Sequence, residues 1–210
     1  MKKLFHCSLA LLALTLMLVG CGESEKVQVT NYIKAVDEYD QEVKTMADKM
    51  KSDMEGMNQA MQQGNFKVEE MKAKLAEFKK TLEDNKAKMA ALKVPEKAQA
   101  MHDAGLARYD AALQLVSKVD EMVDVVGGLA EIMKKVKENP KEAAKYQGEV
   151  KEAIGKIQPM AQELQEIGKK GDEYEKTMKA EKKKLIEEFQ ITELAAETAA
   201  AGDDDDGDAE

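Results

Sequence analysis

The feature that most constrains this chain is the spacing of its apolar residues, which recur every three or four positions over most of its length. In the first such stretch the stripe is formed by Val29, Ile33, Val36, Tyr39, Val43, Met46, Met50, Met54, Met57 and Met61. Steps of three and four place side chains on one face of an α-helix, whereas a strand would need strict alternation. The chain is therefore predicted to fold as long amphipathic helices that share a core.

Three breaks divide the chain into four such helices. The first is the polar sequence QQGN at 62–65, and the others are Val94-Pro95 and Asn139-Pro140. A proline disfavours helical geometry in the residue before it and suits the first turn of a new helix, so a helix should begin at each proline, with Asn139 as a cap. The predicted helices span about 28–62, 67–93, 95–137 and 140–191.

Short connections between these helices predict an up-down-up-down bundle, because consecutive helices joined by short loops pack antiparallel. The second helix is much shorter than the fourth, so the ends of the third and fourth helices should project as a coiled-coil hairpin. The lack of Trp and an aromatic content of 4% agree with a helical protein rather than a sheet protein. The predicted fold class is all-α, an elongated four-helix bundle over 28–191.

Three features inside the predicted helices leave local alternatives open. Asn85 falls on an apolar stripe, where it either is buried and fixes the register or turns outward. The pair Gly127-Gly128 lies in the third helix and marks either a kink or a close helix contact. Pro159 lies in the fourth helix and should bend it, because proline removes a backbone donor.

The first twenty residues are predicted to form a signal peptide. Two lysines precede an apolar stretch that is too short to span a membrane, and small residues end it. The sequence Leu18-Val19-Gly20-Cys21 resembles the lipobox of bacterial lipoproteins. The resemblance implies that residues 1–20 are removed, that the sulfur of Cys21 is diacylated, and that residues 21–27 tether the bundle to a membrane.

The same resemblance gives an expected location in the cell envelope. An Asp directly after the lipidated cysteine would favour retention in the inner membrane, but Gly22 stands there. Two or more acyl chains give stable attachment, since each buried methylene contributes about 0.8 kcal/mol. We therefore expect a lipid anchor in the outer membrane.

The carboxy-terminal segment, residues 192–210, is rich in alanine and then in aspartate. This composition predicts a disordered acidic tail. The whole chain has a net charge of −9, and Arg108 is its only arginine. A chain with one arginine lacks the guanidinium groups that usually bind phosphate, and its negative charge repels the phosphate backbone. Nucleic acid is therefore not an expected partner.

The residue types do not predict an enzyme. Without residues 1–20 the chain keeps one histidine, His102, and its one cysteine is the residue predicted to be lipidated. Its serines are few and scattered, and it has no glycine-rich phosphate loop. We therefore predict no catalytic residue and no cofactor.

The methionines of the first stripe are the one candidate for specific chemistry. Five of them follow MxxxM and MxxM spacing: Met46, Met50, Met54, Met57 and Met61. Thioethers on one helical face can bind soft ions such as Cu(I) or Ag(I). Methionine also fills hydrophobic cores, and this stripe continues the preceding valine and isoleucine stripe without a break, which favours core packing over a metal site or an apolar groove.

Two functional hypotheses arise from these patterns. The first is a non-enzymatic lipoprotein, held by lipid on Cys21, whose helix faces bind protein partners or envelope components, or associate with a second copy. The alternative is a periplasmic carrier, which would bind soft metal through the methionine stripe or an apolar ligand inside the bundle.

Overall fold

The computed structural model of this protein describes residues 24–63 and 66–194. Four long helices account for most of this part of the chain: α1 (Glu25–Gln63), α2 (Val68–Ala90), α3 (Gln99–Glu138) and α4 (Ala143–Glu188). The described residues include no strand. None of their helices is both long and apolar enough to cross a membrane. The predicted signal peptide and residues 195–210 of the predicted acidic tail lie outside the described residues.

Ion pairs between neighbouring helices establish the up-down-up-down arrangement. Glu42, in the first half of α1, pairs with Lys88 near the end of α2 at 3.3 Å. Asp53, farther along α1, pairs with the earlier residue Lys74 at 2.7 Å, so the two helices are antiparallel. The order is reversed in the same way between α2 and α3, where Lys72 pairs with Asp124 and Lys86 with Asp110, and between α3 and α4, where Arg108 pairs with Glu175 and Lys118 with Glu163. The all-α four-helix bundle predicted from the apolar stripes is therefore confirmed.

The helix boundaries agree with the predicted breaks, with small differences. A single 3₁₀ turn comes after each proline boundary, at Glu96–Ala98 and at Pro140–Glu142, before the α-helix begins. The helix predicted from residue 28 begins at Glu25, so residues 25–27, which were assigned to the tether 21–27, belong to the helix. Asn139 makes no side-chain capping hydrogen bond, contrary to the prediction; instead its carbonyl oxygen accepts a bond from the backbone nitrogen of Glu142 at 3.0 Å.

The hydrophobic core lies where all four helices overlap. Its side chains come from every helix and from the segment after α4, and the most deeply buried are Val29, Ile33, Val36, Leu82, Met89, Met101 and Ile191. Asn85 is also fully buried, at 0% exposure, so the inward-facing alternative is the correct one. The core therefore includes residues from all four predicted stripes, together with Asn85.

The end of α4 differs from the sequence-based boundary at residue 191. The backbone nitrogen of Gln190 bonds the carbonyl oxygen of Glu187, and that of Ile191 bonds Ile186, at 3.2 and 3.0 Å. With φ of 50° at Gln190, this pair of bonds is a Schellman motif, which turns the chain back toward the core. Leu194 is consequently only 3% exposed. The tail predicted from residue 192 was wrong for residues 192–194, which are helical.

Of the paired glycines in α3, one makes a close helix contact. A Cβ added at Gly127 would overlap Cγ2 of Val68, at the start of α2, while Gly128 has open space around it. Glycine at 127 therefore lets the start of α2 approach α3 closely. The close-contact alternative holds for Gly127.

Beyond Gly127, α3 and the first part of α4 project as a pair. No residue from 128 to 177 is buried. Phe66 and Val68 lie against Gly127, so α2 begins at this level and does not cover the later residues of α3. We call residues 128–154 the hairpin arm.

Candidate functional site

The predicted lipidation residue, Cys21, lies outside the described residues. The described chain begins at Ser24, and Nζ of Lys26 donates a hydrogen bond to the carbonyl oxygen of Gln190 at 2.9 Å. The start of α1 and the end of α4 are therefore neighbours at one end of the bundle. The hairpin arm lies at the opposite end.

The methionine stripe is only partly described. Met50 belongs to the hydrophobic core and is 9% exposed, while Met46 is partly buried. The side chains of Met54, Met57 and Met61 lie outside the described part of the structure. Among described residues no cluster of three His, Cys, Asp or Glu side chains could hold a metal ion. The position of Met50 agrees with core packing, the interpretation that the sequence favoured, and nothing in the described residues tests the metal-binding alternative.

His102, the one histidine considered for chemistry, is buried beside a tyrosine. Its Nδ1 and the hydroxyl oxygen of Tyr32 are 3.2 Å apart and share a hydrogen bond between α3 and α1. His102 is 6% exposed and Tyr32 is 3% exposed. Burial and the charges of Asp103 and Asp40 raise the pKa of Tyr32, so the hydroxyl keeps its proton. This pair joins two helices and is closed to a substrate.

The single arginine links three helices. Nη1 of Arg108 in α3 lies 2.9 Å from Oδ1 of Asp40 in α1, and its Nε lies 3.5 Å from Oε2 of Glu175 in α4. Burial raises the pKa of Asp40, while the charge and hydrogen bond of Arg108 act in the opposite direction. Arg108 therefore compensates a carboxylate that the bundle partly desolvates.

Two buried polar groups lie in α2 and α3. The side-chain carbonyl oxygen of Asn85 accepts a hydrogen bond from Nζ of Lys88 at 2.9 Å. Its Nδ2 and the hydroxyl of Tyr109 are buried without a hydrogen-bond partner among the described residues. Burial, together with the charge of Asp40, raises the pKa of Tyr109, so its phenol stays neutral. These groups add polarity to the core.

The hairpin arm carries an open apolar groove of about 450 Å³ between α3 and α4. Its lining residues are Met133, Val136, Ala143, Gln147, Val150, Lys151 and Ile154. Met133 is 63% exposed and Ile154 is 56% exposed, the two highest values among the large exposed apolar residues described. Large apolar side chains left this open on a protein surface mark a candidate interaction site.

Sequence reasoning placed the apolar residues of this groove on helical stripes but did not identify a site. Met133 and Val136 continue the stripe of α3, and Val150 and Ile154 belong to the stripe of α4. The difference in helix length could have identified the site, because the apolar stripes of α3 and α4 extend past the residues that the shorter α2 can cover. The role of Arg108 in joining three helices was also missed, since one residue carries no pattern.

Comparison with known proteins assigns no family to this chain. No protein-family model, no curated protein and no solved structure matches it. Any functional conclusion therefore depends on the residues of this chain and on their geometry.

Proposed function

We propose that this protein is a lipid-anchored lipoprotein of the cell envelope that acts as a non-enzymatic scaffold, presenting the hairpin arm to a protein partner. The exposed apolar groove of the arm is the observation that carries the proposal. The anchor in this proposal is Cys21, four positions before the start of α1 at Glu25. Membrane attachment and the arm thus belong to opposite ends of one bundle.

The distance between the two ends gives the scaffold a mechanical role. The forty residues of α3 run the length of the bundle and the arm. At 1.5 Å per residue they span about 60 Å. Anchoring through Cys21 would therefore hold the groove, which begins at Met133, about 50 Å from the attachment point, and this suits a spacer that reaches a partner away from its own membrane surface.

The carrier alternative has less support from the structure. Met50 is packed among core residues at 9% exposure, where its thioether acts as a hydrophobic group. Three grooves on the described surface are open to solvent, and the most apolar of these three lies on the arm. Outer-membrane location remains part of the proposal and depends on the lipobox resemblance.

The anchor is tested by replacing each cysteine separately. Cys21→Ser should abolish incorporation of labelled fatty acid and move the protein from the membrane fraction to the soluble fraction. Cys7→Ser, within the same predicted signal peptide, is the matched control and should leave both unchanged. Equal labelling of the two variants would contradict the lipid anchor.

The scaffold role is tested by photo-crosslinking in intact cells. A photoreactive residue at Met133 or Ile154 should crosslink to a discrete protein, because both side chains project into the groove. The control position is Tyr174, which is 38% exposed on α4 outside the arm. The same crosslinked products at all three positions, or none at any of them, would contradict a role for the arm.

A further inference from the structure

The rim of the arm groove is cationic, and this distinguishes it from the rest of the chain. Lys151 lines the groove, and Lys137 lies one helical turn after Met133 on the same face of α3. Neither lysine forms an ion pair with another described residue. Residues 128–154 contain six lysines and five glutamates, whereas the whole chain has a net charge of −9.

The acidic residues of the arm lie away from the groove. The arm contains Glu131, Glu138, Glu142, Glu149 and Glu152. None of them stands three or four positions from a groove-lining residue, so helical geometry places them on other faces. The groove thus has an apolar floor and a rim on which the charged groups are lysines.

We propose that the groove binds an amphipathic helix of a partner protein, about three turns long, whose apolar stripe is flanked by acidic residues. Ala143 and Ile154 lie at the two ends of the α4 side of the groove, eleven positions and about 16 Å apart along the helix axis. Three turns of helix match this length, and their side chains at i, i+4 and i+7 would fill the channel between α3 and α4. The flanking acids would pair with Lys137 and Lys151.

Residues 195–210 of the same chain are a poor fit for the groove. Glu193, next to Leu194, pairs with Lys34 of α1, while Met133 lies about 51 Å along the helix axis from Gln99. Sixteen residues span at most about 56 Å when fully extended, so this segment would have to be almost straight to reach the edge of the groove.

A second copy and a lipid surface fit the groove less well. Two copies docked groove to groove would bring Lys137 and Lys151 against the same lysines of the other copy, and like charges in contact disfavour association. An anionic lipid surface would satisfy the lysines. It is flat, however, and cannot enter a channel that lies between two helices.

Binding is tested with two dye-labelled synthetic peptides of about 18 residues that share one leucine stripe and differ only in flanking Glu or flanking Lys. The protein is the full chain, purified in mild detergent from whichever cell fraction contains it, and fluorescence anisotropy measures the affinity. The Glu-flanked peptide should bind about tenfold more tightly than the Lys-flanked peptide, and the difference should shrink in high salt. No binding of either peptide, or equal affinities, would overturn the proposal.

Charge reversal supplies the matched variants. In Lys137→Glu/Lys151→Glu the preference should invert toward the Lys-flanked peptide. Lys135→Glu/Lys145→Glu makes the same charge change on the same helices away from the groove, and it should keep the original preference. Helical circular dichroism checks that both variants fold, and an equal effect of both pairs would overturn the assignment of the rim.

Two further measurements distinguish the other occupants. If the protein sediments as a dimer and Ile154→Ser makes it a monomer, the occupant of the groove is a second copy of the chain and not a partner helix. Binding to vesicles of anionic lipid that is lost in Lys137→Glu/Lys151→Glu, with no peptide binding, would replace the partner helix by a membrane surface. The inference rests on the proposed scaffold, but peptide binding does not require the anchor, so failure of the Cys21→Ser test and failure of the peptide test are separate results.

Discussion

The four-helix part of this protein and its hairpin arm are built from the same kind of sequence, and they differ in the cover over their apolar stripes. Met89 in α2 is 1% exposed, whereas Met133 in the arm is 63% exposed. Both methionines belong to regular stripes with steps of three and four. An apolar stripe therefore defines a helix face that is stable only when another apolar surface covers it. The lengths of the neighbouring helices decide whether that surface comes from the same chain.

The sharpest test of this comparison replaces the same residue type in the two regions. Met89→Ala should lower the free energy of unfolding by about 3 kcal/mol, because it removes buried methylene groups and leaves a cavity. Met133→Ala should change it by less than about 0.5 kcal/mol, since its side chain is already in water. Urea unfolding followed by helical circular dichroism measures both, and equal losses would mean that the arm is covered in solution.

The next largest effect should come from ion pairs. Arg108→Met leaves the partly buried Asp40 without its compensating charge and should cost about 2 kcal/mol. Lys156→Met removes the exposed pair with Glu152, at 2.7 Å, and should cost less than about 0.5 kcal/mol. Urea midpoints at neutral pH measure both, and a cost as large for Lys156→Met would show that burial is not the property that separates the pairs.

The cost of Arg108→Met should depend on pH in a defined direction. Burial raises the folded pKa of Asp40 above its ordinary value of 3.8, so between these two values the folded state binds more protons and stability falls as pH rises. Removing Arg108 takes away an interaction that lowers the folded pKa of Asp40. The range of pH between the ordinary and the folded pKa therefore becomes wider. The difference from wild type should therefore be largest at neutral pH and shrink as pH falls toward 3.8. Urea midpoints measured across this range check the trend, and a difference that grows on acidification would contradict it.

The smallest effects should separate the two neighbouring glycines at the junction of the regions. Gly128→Ala faces open space and should raise stability by about 0.5–1 kcal/mol, because alanine favours the helix. Gly127→Ala should instead lower stability by about 1 kcal/mol, since its Cβ would overlap Val68. Thermal unfolding measures both, and adding Val68→Ala to Gly127→Ala should recover part of the loss. Stabilisation by both single changes would refute the close contact.

Much of the fold could be predicted from the sequence because its signals are local. Periodic apolar residues gave the four helices, and Pro95 and Pro140 gave two of their boundaries within a few residues. The end of α4 was misplaced because Gln190 adopts a left-handed conformation that usually favours glycine or asparagine. Leu194 was assigned to the tail because only two alanines and polar residues follow it before the alanine-rich stretch, and its burial depends on the helices around it.

The candidate site was less accessible to sequence reasoning for the same physical reason. The groove requires α3 and α4 to lie side by side beyond the start of α2, which is a property of tertiary structure. The methionine stripe carries chemically distinctive thioethers, but its continuity with the valine and isoleucine stripe favoured core packing, and Met50 does pack in the core. From the sequence, Arg108 indicated only that the chain has a single arginine. Its structural role could not be predicted, because its partners Asp40 and Glu175 lie on two other helices.

The meeting of α1 with the end of α4 has a consequence for the connectivity of the bundle. Nζ of Lys34 pairs with Oε1 of Glu193 at 3.1 Å, so the entry and exit of the described chain lie side by side. A short linker could join them, and the chain could be opened at the turn before Pro140 without cutting the core. Each helix is therefore followed in space by a neighbour, and α4 is followed by α1. The same packing should accept several circular permutations of the chain, of which the present order is one.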